Sequence, residues 1–274
     1  METRVFHIFR NTPLGRETLL QSIYLCDKIE ASPVIYLPES TRFLMYFEND
    51  VVQIDLDNSY LTSPETARLH VTELFKKGGV EPVFFTPKQY TASTLPDIPT
   101  NFDFMCCPRS ISDLSSKIGL GYIGPRVRRI IKSAHFPVLI TSPVFKKWNK
   151  IMVFFGGSSN ALNALKLGLR IKRATGIPLD VFTHTENKKP DSYKAIIEEQ
   201  LGDDMASLVN DWKIYEKGKL EDYLYDIPHD ALVILGAYGH SLWKNLLFGS
   251  KMEKIQSTIL NNLLIVGPKY TAGL

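Results

Sequence analysis

The sequence predicts an α/β fold built from two tandem units, each carrying a parallel sheet. Three observations lead there. Short apolar runs alternate with segments of helical period along the 274 residues, the pattern of βαβ units. The same order of elements occurs twice. Near the ends of the two halves the residues also align, Gly124-Pro125-Arg126-Val127-Arg128-Arg129-Ile130-Ile131 against Gly249-Ser250-Lys251-Met252-Glu253-Lys254-Ile255-Gln256. Pro143 and Pro268 keep that offset, which supports a duplicated unit.

In the first half, apolar runs predict strands over 5–9, 33–37, 82–85, 102–107 and 137–141. Helices are expected over 17–29, 64–77 and 127–134. Residues 42–56 break the repeat with two apolar runs around Glu48-Asn49-Asp50, the pattern of a hairpin or extended insertion. It is expected to cover a sheet edge or the other half, with a ligand lid as the alternative. In the second half, Ile151 to Phe155 reads as a strand ending at Gly156-Gly157-Ser158-Ser159. Ala161, Leu162, Leu165, Leu169 and Ile171 mark a helix that closes near Gly176-Ile177-Pro178. Strands follow over 179–183, 212–215, 231–235 and 263–266. Helices are expected over 193–209, 219–225 and 251–260. The hinge falls near residues 145–149, which divides the chain into 1–146, with the insertion at about 39–62, and 147–274.

Composition narrows the classes of function. Apolar content is 44%, charged content 22% and net charge +3, which suits an ordinary core and gives no strong expectation of nucleic acid. The densest basic cluster, Arg126, Arg128, Arg129 and Lys132, reads as a solvated helix face. No apolar run approaches the roughly 18 residues needed to span a bilayer. Residues 1–4 lead into a strand-like run rather than a signal peptide. The three cysteines, Cys26, Cys106 and Cys107, lack a disulfide spacing. Cys106 and Cys107 read as core, and a cytoplasmic location is expected.

The segment richest in chemistry is Gly236-Ala237-Tyr238-Gly239, with Gly249-Ser250 beyond it. An apolar strand precedes it and a helical pattern follows. Glycine lets backbone approach a phosphate, and free N–H groups at a helix start favour an anion. The spacing is longer than that of a P-loop, and the lysine follows the serine. His240 and Lys244 lie in the loop within reach of a phosphate, although exposure to solvent is the commoner fate of such residues. No histidine–carboxylate cluster has metal-ligand spacing, so no metal site is expected. There is no Gly-x-Ser-x-Gly elbow and no carboxylate pair placed for acid–base work, so no catalytic residue is nominated.

Gly236-x-x-Gly239-x9-Gly249-Ser250, the helix after it and Asn262-Leu263-Leu264-Ile265-Val266-Gly267-Pro268 together resemble the universal stress protein family, in its tandem form. Element order extends the resemblance over the whole chain. It implies doubly wound units, each with a five-stranded parallel sheet of strand order 3-2-1-4-5, paired through their last strands as an internal pseudo-dimer. It also implies ATP, with Mg2+, at the carboxyl ends of the strands. By position, Gly236, Ala237 and Gly239 would line ribose and phosphates, and Gly249, Ser250, His240 and Lys251 would serve the phosphate tail. Thr183 and His184 would lie near the adenine and contact it mainly through backbone groups, with Gly156, Gly157 and Ser158 beneath the nucleotide.

Two departures qualify the resemblance. Gly156 stands where binding members of the family carry an acidic residue, a loss worth about 0.5–1.5 kcal/mol if one hydrogen bond is missing. In the first half Pro108-Arg109-Ser110-Ile111 replaces the glycine turn, Gly124-Pro125 replaces Gly249-Ser250, and Arg10-Asn11 replace the first-strand glycines. Proline removes a backbone donor, and this half is expected to have lost the ligand. The chain is thus expected to be a non-catalytic, nucleotide-binding stress-response regulator with an unidentified protein partner and no membrane or nucleic-acid partner. A further homodimer stays open. A ligand-free scaffold is the first alternative, and a nucleotide-handling transferase or weak ATPase the second.

Overall fold

A computed structural model describes residues 2–88, 94–111, 123–185, 189–202, 208–238 and 258–272. The chain divides into two units, Met1–Lys147 and Trp148–Leu274.

Unit 1 begins with β1 (Arg4–Ile8), α1 (Pro13–Ile29) and β2 (Ser32–Tyr36). The helix starts four residues before the expected position. Thr12 caps it, its Oγ1 accepting from Gly15 N at 3.1 Å, and Pro13 occupies the first turn, where a missing N–H costs nothing. The inserted hairpin is β3 (Arg42–Phe47) and β4 (Asp50–Asp55), antiparallel, with Phe47 opposite Asp50. A short 3-10 turn, Asn58–Tyr60, leads to α2 (Pro64–Gly78) and β5 (Val83–Phe85). Next come β6 (Asp97–Pro99), which the sequence pattern did not reveal, then β7 (Phe104–Cys107), α3 (Pro125–Ser133) and β8 (Val138–Ile140). The main sheet runs β5-β2-β1-β7-β8, with every pair parallel. In order of the main strands that is 3-2-1-4-5. A second sheet, β4-β3-β6, stands apart from it. Phe9, Leu19, Ile23, Ile35, Val71 and Phe75 form one apolar cluster between the main sheet and helices α1 and α2.

Unit 2 repeats the plan without the insertion. It contains β9 (Lys150–Phe154), α4 (Ser159–Thr175), β10 (Leu179–His184), α5 (Pro190–Leu201) and β11 (Asp211–Tyr215). The one-turn helix α6 (Leu220–Tyr223), β12 (Ala231–Gly236) and β13 (Asn262–Val266) complete it. The order is β11-β10-β9-β12-β13, again all parallel and again 3-2-1-4-5. Helix α5 starts at Pro190, three residues early, and ends at Leu201, where Gly202 (φ +80°) follows. The expected helix over 251–260 lies outside the described residues up to 257. Strands β12 and β13 are buried at every residue, as a parallel sheet covered on both faces requires.

Buried cysteines and the β1 histidine complete the core. Cys26, Cys106 and Cys107 are free thiols, and burial pushes Cys26 and Cys107 up to about 12. His7 is fully buried in β1 and its imidazole falls to about 3 for the same reason. Among the described residues no helix is long and apolar enough to cross a membrane.

Candidate functional site

In a doubly wound sheet the chain reverses direction between the first and fourth strands, and a crevice opens above their carboxyl ends. In unit 2 those strands are β9 and β12. Leu235 lies beside Phe154, and Phe154 beside Phe182, so the ends of β12, β9 and β10 are level. Gly236, Gly156 and Thr183-His184 therefore emerge at one height across three neighbouring strands.

Helix α4 begins at this crest. Ser158 is its N-cap, with Oγ accepting from Ala161 N at 3.2 Å, and the first turn holds no acidic residue. An anion at that terminus meets the positive end of the dipole. Gly157 takes φ +72°, and a Cβ there would stand 3.3 Å from both Tyr193 and Ile196. Its partner Gly236 is pinned differently. A Cβ on Gly236 would lie 2.4 Å from the backbone C and O of Asn160 and 2.8 Å from Ala161 N. Close packing of β12 on the first turn of α4 is thus a sufficient reason for glycine at 236. Asn160, overlooked in the sequence, ties the same two elements. Its Nδ2 donates to Ala237 O at 2.6 Å, and Ala237 N donates to Val266 O at 2.8 Å. Tyr238, in the motif but given no role there, takes φ +62°. A bulky residue in the left-handed region marks strain of the kind that gathers at binding loops.

At the end of β10 the two candidate adenine neighbours differ. Thr183 is fully buried and its hydroxyl is doubly engaged, donating to Phe155 O at 2.9 Å and accepting from Trp212 Nε1 at 2.9 Å. Its side chain belongs to the core. His184 Nε2 lies 3.2 Å from Gly218 O, to which it donates, so in the neutral ring Nδ1 is the acceptor. Among the described residues that buried Nδ1 has no hydrogen-bond partner. Tyr223 lies 6.0 Å from the His184 ring and stacks on Tyr215 at 4.1 Å, and Tyr215 donates to Asp226 at 2.7 Å. Gly239, His240, Gly249, Ser250 and Lys251 lie outside the described residues, as do Trp243 and Lys244.

Unit 1 offers the contrast. Arg10 occupies the position of Gly156, and Pro108 that of Gly236. Arg10 turns into the crest, with Nε 2.5 Å from Ser59 Oγ, Nη2 3.6 Å from Asp57 Oδ1 and its guanidinium 5.3 Å from the centre of the Tyr60 ring. The space left between His7, Arg10, Thr18, Tyr60 and Pro108 is about 10 Å3, no more than one water needs. Asn11 is likewise engaged, 2.8 Å from His70 Nδ1. The residues that hold Arg10 come from the insertion, which therefore closes this crevice.

The insertion also corrects the reading of the basic helix face. Strand β4 lies against α3, and Arg126 meets Asp55 at 2.9 Å, Arg129 meets Asp50 at 3.9 Å, and Ser133 donates to Asp50 at 2.6 Å. Arg126 docks against the hairpin, while Arg129 reaches it from an exposed position and Lys132 stays exposed, so the face is solvated except at Arg126. Gln53 first, then Arg126, holds the Asp55 carboxyl below its usual range.

No family model matches the chain. A universal stress protein of Synechocystis sp. is 23% identical over 196 residues, covering 66% of this chain. The match spans 63% of that relative's length. The solved universal stress protein of Archaeoglobus fulgidus superposes with a TM-score of 0.62 at 15% identity, covering 96% of both chains. The chain has the fold of a two-unit universal stress protein. A putative universal stress protein of Pseudomonas aeruginosa is similar over 98% of this chain and 94% of its own, with TM-score 0.56 and 11% identity. The universal stress protein fold is not tied to one role. The cytoplasmic domain of a prokaryotic cation chloride cotransporter also matches, with TM-score 0.51 and 11% identity over 97% of this chain and 95% of that one.

Proposed function

We propose that this protein is a stress-response regulator of the cytoplasm that binds one adenine nucleotide per chain, in unit 2, without turning it over. The observation that carries this reading is the difference between the two crests. Glycines 156 and 157 and an acid-free helix start line one, while Arg10 and Tyr60 fill the other. The unpartnered His184 Nδ1 suits the exocyclic amine of an adenine, which is a hydrogen-bond donor. The N-terminus of α4 and the segment from Gly239 to Ser250 would serve the phosphates. Among the described residues no group of three His, Cys, Asp or Glu side chains could hold a metal, so a Mg2+ would arrive on the phosphates. Binding would act by stabilising one conformation that a protein partner reads.

The test is to denature the purified protein, separate the supernatant by chromatography and then titrate refolded protein with ATP by calorimetry. Released nucleotide, or saturable heat that His184→Ala weakens by about tenfold, is expected. Absence of both at millimolar ATP sinks the proposal in favour of a ligand-free scaffold. The packing role of Gly236 is the observation that favours that second reading, because it explains a motif glycine with no ligand at all.

A further inference from the structure

Unit 1 has a second recess, away from its filled crest. It lies where β2 and β5 end and α2 begins, at the margin of the sheet rather than between β1 and β7. Its volume is about 210 Å3. Tyr36, Phe84 and Phe85 wall it, with Glu39, Arg68 and Thr86 among its polar lining.

Size, walls and charge point the same way. An apolar cavity of about 150 Å3 takes a benzene-sized molecule, so this recess has room for one ring with a short polar tail. The ring faces are already arranged for stacking and edge contacts, Tyr36 lying edge-on to Phe85 at 6.2 Å. Arg68 carries its guanidinium 4.0 Å above the centre of the Phe84 ring. Among the described residues neither Arg68 nor Glu39 has an ion-pair partner, so each charge stays available to a ligand. A guanidinium braced on a ring keeps its N–H edge for a carboxylate, which it grips in bidentate fashion. Pro64, at the start of α2, lines the same recess. Glu39 supplies the opposite charge. Its field adds to burial in pushing the Tyr36 phenol up to about 12, which places the carboxylate within electrostatic reach of that wall.

We propose that this recess binds a small zwitterion with an aromatic body, the chemical class of the aromatic α-amino acids. Its carboxylate meets Arg68, its ammonium meets Glu39, and its ring lies against Tyr36, Phe84 and Phe85. The site is separate from the unit 2 crest and does not depend on nucleotide binding there.

Calorimetric titration of the full chain with L-phenylalanine tests it. Saturable binding with Kd on the order of 0.1–1 mM is expected, and Arg68→Gln and Glu39→Gln should each weaken it about tenfold or more. Both side chains are exposed, so both variants should keep the wild-type circular dichroism spectrum. Phenylpropionate, which lacks the ammonium, should be insensitive to Glu39→Gln, and phenethylamine, which lacks the carboxylate, insensitive to Arg68→Gln. No heat at about 10 mM phenylalanine overturns the proposal. So does binding that both variants retain at full strength, or equal affinity for the two singly charged analogues and the zwitterion. ATP titrated into Arg68→Gln should give the wild-type result, whichever way the nucleotide proposal stands.

Discussion

Gly236→Ala separates a glycine kept for packing from a glycine kept for a ligand. The added methyl carbon would stand 2.4 Å from two backbone atoms of Asn160 and 2.8 Å from a third, Ala161 N. Carbon contacts are comfortable at about 3.5–4.0 Å, so β12 or the first turn of α4 must retreat by about 1 Å. Neither obstacle is a side chain that could rotate away. The retreat also strains the 2.6 Å bond from Asn160 to Ala237 O, inside a crest where Ala237 is fully buried. Overpacking costs about 1–3 kcal/mol and a weakened buried hydrogen bond about 1 kcal/mol more. For a unit of this size, about 2–4 kcal/mol lowers the melting temperature by roughly 6–16 °C. Differential scanning calorimetry of nucleotide-free protein measures it. Gly176→Ala is the contrast, because Gly176 has a left-handed backbone (φ +69°), unlike Gly236, and a Cβ there meets nothing within 4 Å. It should cost only the backbone strain of about 1–2 kcal/mol. If Gly236→Ala melts with the wild type, the packing explanation is wrong and the residue is held for a ligand.

Three further outcomes follow from unit 1. Arg10→Ala takes the guanidinium from the partly buried Asp57, which keeps its bonds from Ser59, and should destabilise the unit by about 1–3 kcal/mol in urea denaturation, while adding Asp57→Asn should recover part of that loss, as a coupled pair does. His7 is neutral in the folded protein down to about pH 3 but titrates near 6.5 when unfolded. The unfolded chain therefore binds more protons between those values, so stability falls as pH falls through that window, by at most about 1.4 kcal/mol per pH unit. His7→Leu should flatten that slope between pH 7 and 5, and an unchanged slope would assign it to other groups. Asp55 has a depressed carboxyl, so its contribution is present above about pH 4 and lost as pH falls further. Asp55→Asn should leave the stability profile flatter below pH 4 and shift nothing between pH 5 and 7.

Most of the fold was legible because parallel strands buried on both faces appear as unbroken apolar runs. Leu232-Val233-Ile234-Leu235 and Leu263-Leu264-Ile265-Val266 permit little else between turn residues. The helix starts were misplaced where the signal was a cap and not a period. Thr12-Pro13 and Lys189-Pro190 both put proline in the first helical turn, a signal that was present and outweighed by the later apolar positions. Strand β6 was hidden because Asp97-Ile98-Pro99 has one apolar side chain and a proline, and it pairs along its length with β3, an element far from it in sequence. The candidate site was half legible. Glycines 156, 157 and 236 announced themselves by type, but the reason for Gly236 lies in the backbone of Asn160, which no residue type encodes. The core role of the Thr183 side chain was not legible because its two hydrogen bonds go to Phe155 and Trp212, partners set by sheet register.

The filled crest of unit 1 shows why its divergence is not mere decay. An arginine replacing a glycine under a parallel sheet would bury a charge at a cost of several kcal/mol unless something met it. Here the partners arrive on a segment that unit 2 lacks altogether. Asp57, Ser59 and Tyr60 follow directly on β4, and β4 is itself fastened to α3 through Asp50 and Asp55. That helix is the element whose first turn, in unit 2, would hold phosphate. In unit 1 its start is Gly124-Pro125, with no side-chain cap, and Arg126 and Arg129 reach Asp55 and Asp50 of the hairpin. One insertion thus satisfies the charge at the end of β1 and engages Arg126 and Arg129 of α3. Arg10 and the insertion are each costly without the other. Removing either should therefore unsettle unit 1 without restoring an anion site, since Pro125 has no N–H to offer. The two crests are consequently different kinds of structure: that of unit 1 is closed by its own chain, while among the described residues that of unit 2 carries Gly156, Gly157 and the Ser158-capped start of α4 in place of Arg10 and its partners.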